Sequence, residues 1–153
     1  MGGILHAVWT RQVRIGVWAG LVAGAATAGA LAAFAGRAGD ALRPFRAMGA
    51  EVLLGRAPAG ALPVAGLLLH LAAAIVWGVV LGLLVGARRG LATVILAAGV
   101  AAAAALAHTA VLPMLRLGYG LSAFPLHGSP VVFLYVVFAV GLAVGLQLAR
   151  SVD

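Results

Sequence analysis

Two runs decide how this chain is read: ALPVAGLLLHLAAAIVWGVVLGLLVG (Ala61–Gly86) and LATVILAAGVAAAAALAHTAVLPML (Leu91–Leu115), parted only by Ala87-Arg88-Arg89-Gly90. Neither run holds a Lys, Arg, Asp or Glu. A helix needs about 20 apolar residues to cross the roughly 30 Å hydrocarbon layer of a bilayer, and both runs exceed that length. Joined by so short a turn, they must fold back on one another, which predicts an antiparallel transmembrane hairpin. Outward from this pair, Ile15–Phe34 and Pro130–Ala149 have the same length and character. Ser129-Pro130 supplies an N-cap and a first-turn proline for the last of them. The expectation is an all-α, integral membrane four-helix bundle. It is one domain of two antiparallel transmembrane hairpins, with spans near residues 15–35, 61–87, 91–115 and 130–150.

Composition agrees with that solvent. A hydrophobic fraction of 65% against 8% charged residues leaves too few polar side chains to coat a soluble core. The absence of cysteine excludes disulfides, thiolate nucleophiles and thiolate metal ligands. A net charge of +7 would suit nucleic acid, but every basic residue is Arg and these sit at the ends of apolar runs: Arg11 and Arg14, Arg37 to Arg56, Arg88 and Arg89, Arg116, Arg150. That is the pattern of interfacial anchors and topology signals, so the expected partner is the lipid bilayer and not nucleic acid. The run after Arg14 is longer than a signal-peptide core of about 7–15 residues, and is read as a retained helix. The ten arginines divide equally between the two sides. Arg88-Arg89 in the tightest loop and the pair ahead of the first span place both termini in the cytoplasm.

The connection Ala35–Gly60 carries Leu42, Phe45, Met48, Gly49 and Val52 at helical spacing, with Arg43, Arg46 and Glu51 opposite and Pro44 suited to a first turn. It reads as a short amphipathic helix near residues 41–55 lying on the bilayer surface, or else as an irregular loop whose apolar residues tuck between helices. Residues 1–14 read as a separate interfacial segment.

Lipid gives helices no hydrophobic reason to associate, so small residues must let them approach. Gly16, Gly20 and Gly24 form one ladder, Gly78, Gly82 and Gly86 a second, Gly141 and Gly145 a third. Positions four apart share a helical face, so each ladder is a glycine-zipper stripe. Such stripes pack one chain's bundle or line a homo-oligomeric pore or small transporter. Trp77–Leu83 resembles Val140–Leu146, and Ala19–Ala23 resembles Ala98–Ala102. A repeated hairpin gives that pattern, and so does biased composition.

Ionisable groups inside spans are rare and mark candidate sites. His70 and His108 fall at similar depth on antiparallel segments, toward the side that also holds His127, Asp40 and Glu51 as a polar cluster. Thr27, Thr93, Thr109 and Tyr135 offer hydrogen bonds within the bundle. Three readings fit the His pair: neutral imidazoles bonding across helices, a ligand pair for haem b or a metal ion, or a pH-responsive element. No carboxylate or thiol within a span completes a metal shell, so no metal site is assigned. Ser122, His127 and Ser129 lie close together, but Gly-x-Ser-x-Gly is absent, and no catalytic residue is assigned.

From His70 through Gly82 and Gly99 to His108-Thr109-Ala110-Val111-Leu112-Pro113-Met114, the chain resembles the YagU-like family of small bacterial inner-membrane proteins. The likeness covers residues 70–118, about a third of the chain. It implies the four-span fold and cytoplasmic termini, and it implies no reaction. The family tends to carry a further His in its last span, where this sequence has Phe133. The functional expectation is a small, non-enzymatic multi-pass protein in an envelope-stress, pH-response or membrane-complex setting, partnered by itself or another membrane protein. The alternative is a haem- or metal-binding subunit using His70 and His108.

Overall fold

A computed structural model describes residues 2–54, 56–111 and 128–151. Among the described residues the chain is helical without strands, in the order α1 (Gly2–Arg37), α2 (Arg43–Val52), α3 (Leu62–Val85), α4 (Leu91–Leu106) with a π-helical turn (Ala107–Val111), and α5 (Ser129–Ser151). Four segments are long and apolar enough to cross a membrane: Trp9–Arg37, Leu62–Val85, Leu91–Ala110 and Ser129–Ser151. The chain is a multi-pass membrane protein. Residues 112–127, which hold the end of the third run past Val111 and the third connection as far as His127, Ser122 included, lie outside the described residues.

The expected separate amino-terminal segment is instead the opening of α1, because no proline or paired glycine interrupts Ile4–Gly16. At 1.5 Å per residue this helix is about 54 Å long, well over the hydrocarbon thickness, so its first turns stand clear of the bilayer core.

α1 is the hub. It packs on α3 and α5, α4 leans mainly on α5, and the α3–α4 contact is slight despite the short turn between them. Two sets of small residues explain the hub. A Cβ added at Gly16 would lie 2.6 Å from Val79 Cα, and one at Gly20 would lie 2.5 Å from Ile75 Cα. The neighbouring face of α1 presents Ala19 and Ala23, which are fully buried. Those two meet α5, where a Cβ on Gly145 would lie 2.8 Å from Ala19 Cα and one on Gly141 would lie 2.6 Å from Ala23 Cα. Rising numbers on α1 pair with falling numbers on both neighbours, so α3 and α5 each run antiparallel to it. Leu81, Val85, Leu142 and Leu146 fill the centre, while Trp18, Val76, Ile95 and Phe133 point outward.

Gly86 departs from the expected ladder. It has φ +53°, closes α3, and meets nothing within 4 Å at its Cβ position, so it serves the turn and not the helix contact. Gly90, with φ +62°, is the matching entry to α4.

The amphipathic helix is present, and its apolar face packs against α3. Phe45 and Gly49 are buried, and the two backbones cross in direct contact where Gly49 faces the Leu62 carbonyl and Gly66 faces the Phe45 carbonyl. Leu42 and Val52, read from sequence as part of that face, are exposed at its ends. The bundle therefore has two unlike ends: one capped by α2, the other formed by the Gly86–Gly90 turn with the start of α1 and the end of α5.

Candidate functional site

The α2-capped end holds both span histidines. His70 lies on α3 about 12 Å along the axis from Leu62, at 1.5 Å per residue. Its Nε2 is 2.9 Å from Thr27 Oγ1 on α1. Thr27 is buried, and its hydroxyl donates back along its own helix to the Ala23 carbonyl at 2.9 Å, the usual habit of Thr inside an apolar helix. A hydroxyl has a single proton. With that proton on the carbonyl, Oγ1 can only accept from the imidazole, so Nε2 carries the hydrogen and Nδ1 the free lone pair. Phe45 covers the ring edge-on, at 6.2 Å between centroids.

His108 stands in the π-helical turn, Ala107–Val111, that follows α4. The wider turn shifts the side chain off the regular α4 face, a distortion that recurs at functional positions. Its Nδ1 lies 2.7 Å from the Tyr135 hydroxyl on α5, with the rings edge-to-face at 6.4 Å. The neighbouring Thr109 hydroxyl is held by the Ala105 carbonyl at 2.8 Å.

Each hairpin thus carries one imidazole bonded to one hydroxyl of its partner helix: α1 to α3 through Thr27 and His70, α4 to α5 through His108 and Tyr135. Around them, Arg37 lies 6.0 Å over the Phe34 ring, which meets Phe133 edge-on at 5.6 Å. No known protein family, curated protein or solved structure matches this chain.

The other members of the expected polar cluster lie on the α1–α3 connection at this same end or outside the described residues. Asp40 pairs with Arg46 and accepts the Leu42 amide at 3.2 Å, which makes it a fastener for the start of α2. Glu51 sits half-buried in the last turn of α2. Among the described residues no three His, Cys, Asp or Glu side chains gather into a metal shell. A haem held between His70 and His108 would have to displace Thr27 from Nε2 or take the Nδ1 lone pair, and Tyr135 stands on the corresponding nitrogen of His108.

The opposite end holds polar residues that the sequence reading passed over. Gln12 reaches the Gly86 carbonyl through Nε2 at 3.5 Å, while its Oε1 is buried without a donor. Arg150 donates to the Gly86 carbonyl at 2.9 Å and the Arg88 carbonyl at 2.8 Å, clamping the end of α5 to the turn. The sequence carried one signal of this: two amides, Gln12 just ahead of the first apolar run and Gln147 near the end of the last.

Proposed function

We propose that this chain is a non-enzymatic component of a bacterial inner membrane, akin to the YagU-like proteins, with both termini in the cytoplasm and a pH-responsive end at His70 and His108. The single observation that supports it most is the pair of imidazole–hydroxyl contacts, Thr27–His70 at 2.9 Å and His108–Tyr135 at 2.7 Å, gathered at one end of the bundle. Both are complete with neutral rings. Acid would add charge to two imidazoles in a setting of low dielectric. Among the described residues the groups in contact with them are uncharged: Thr27 and the Gly24 carbonyl from α1, Phe45 from α2, Tyr135 from α5, with the Asp40 carboxylate engaged by Arg46. The helix seams at the α2 end therefore loosen as pH falls, exposing small-residue surfaces to a partner. Glycine packing through α1 holds the rest of the bundle fixed meanwhile.

The test is thermal stability of purified protein between about pH 8 and 5. One extra proton bound on unfolding changes stability by about 1.4 kcal/mol per pH unit, which for a chain of this size is about 3–6 °C per pH unit for each imidazole. The wild type is expected to lose stability toward pH 5, and a His70→Gln/His108→Gln variant to lose that slope. Thr27→Val, which keeps both rings, should shift the slope without removing it. An unchanged slope in the double variant would sink the proposal. A Soret band in the purified protein, lost on His108→Ala, would replace it with the haem reading.

A further inference from the structure

Among the described residues Leu54 is the non-glycine residue with a left-handed backbone, at φ +50°. It stands directly after Leu53, the C-cap of α2. Chains commonly turn left-handed at that place, and glycine is the usual occupant because a Cβ crowds the backbone there. Packing within the fold does not offset the strain, since the leucine is 73% exposed. Leu42 and Val52, at the two ends of α2, are exposed as well. In water Leu54 loses twice, by backbone strain and by an uncovered apolar side chain.

Depth decides what meets it. α3 has 24 residues, about 36 Å at 1.5 Å per residue, against roughly 30 Å of hydrocarbon. Its first turn therefore lies at the boundary between headgroups and acyl chains. α2 crosses α3 in that turn, with Gly49 on the Leu62 carbonyl and Gly66 on the Phe45 carbonyl. Leu54 is tied to the same level: the Leu53 amide donates to the Gly49 carbonyl at 2.9 Å, and the Leu54 amide to the Glu51 carbonyl at 3.3 Å. The exposed Arg56 closes the turn, its amide donating to the Leu53 carbonyl at 2.9 Å. An arginine beside an exposed leucine is the pairing expected at that boundary, where the cation reaches headgroups and the apolar group reaches acyl chains.

We propose that Leu54 is a lipid anchor, a leucine that the left-handed turn holds in the outer edge of the acyl-chain layer, with Leu42 and Val52 touching the same layer at either end of α2. Its partner is the hydrocarbon of the bilayer. Burial there offsets the backbone strain. α2 is then gripped twice, by α3 through backbone contact at Gly49 and Gly66 and by lipid through its exposed apolar ends.

The chain has no native cysteine, so Leu54→Cys in the full chain takes a single bimane label. In vesicles of phosphatidylethanolamine and phosphatidylglycerol, a nitroxide near the top of the acyl chain should quench that label more than aqueous iodide does. Val76→Cys, exposed midway along α3, should behave likewise, and Ala87→Cys, exposed in the turn after α3, should show the reverse order. Leu54→Asn separates lipid contact from local strain, because asparagine takes a left-handed backbone more readily than leucine and brings no apolar group. Loss of the anchor should speed amide exchange in α2 about tenfold in the same vesicles. Slower or unchanged exchange would mean that Leu54 is a strained cap and nothing more, which overturns the proposal. Iodide quenching in excess of lipid quenching at Leu54→Cys would place the residue in water and overturn it too. Protection from both quenchers would mean that a second copy or another protein covers the residue, and would overturn the lipid assignment.

Discussion

Replacing Gly78 by Ala adds one methyl at the point where α1 and α3 come closest. The new Cβ would meet the Gly16 carbonyl oxygen directly and lie 2.5 Å from Gly20 N and 2.6 Å from Gly20 Cα. Ordinary contact between carbon atoms begins near 3.5 Å, so the two helices must part by about 1 Å. Every obstructing atom is backbone, so no side chain can swing aside to absorb the strain. The cost therefore falls at the upper part of the usual overpacking range, about 3 kcal/mol. Against this, Ala is a better helix former than Gly by about 1 kcal/mol, leaving a net loss of about 2 kcal/mol. Gly99→Ala on α4 is the matched control, because nothing lies within 4 Å of its Cβ position. It receives the same propensity gain with no clash, and should stabilise by up to about 1 kcal/mol. The two variants should differ by about 3 kcal/mol, or about 6–12 °C in Tm, in reversible unfolding from detergent. Equal stabilities would refute the claim that backbone approach at Gly78 holds α1 against α3.

Two other outcomes follow from the same contacts. Arg150→Gln removes the donors to the Gly86 and Arg88 carbonyls and should cost about 1–2 kcal/mol after allowance for partial solvent exposure, with faster amide exchange in the first turn of α4; unchanged exchange there would show that the clamp does not hold the turn. Because the chain has no native cysteine, Phe34→Cys with Phe133→Cys should cross-link within one chain through a short bifunctional thiol reagent, whereas Trp18→Cys with Ile95→Cys, on the non-contacting helices α1 and α4, should not; the reverse result would rule out this helix order.

How much of the site was legible beforehand depended on the range of the interaction. His70 and His108 stood out because an ionisable group in an apolar run has few neighbours to hide among, and antiparallel direction alone put them at one depth. Thr27 and Tyr135 were readable as bonding residues, but not as the partners of those two rings. Pairing depends on rotation of each helix about its axis, and the small-residue faces of α1 set that rotation. Asp40 was grouped with the histidines by side of the membrane, yet its nearest cation is Arg46, six residues on in the same connection, and a local ion pair forms more readily than a distant one.

The sequence by itself determined the solvent, the number of spans and where the last three begin, since bilayer thickness converts directly into a length of apolar residues. It also determined that the helices would be joined by small residues, since lipid leaves close packing as the main attraction. Tertiary structure alone decided that α1 is the hub, with Gly16, Gly20 and Gly24 toward α3 and Ala19 and Ala23 toward α5. It alone took Gly86 out of its ladder and into a turn, and turned Phe45 inward over His70. Those choices rest on backbone angles and on which of several similar small faces meet. A period of four residues reports that a face exists, and only the packed bundle says what lies against it.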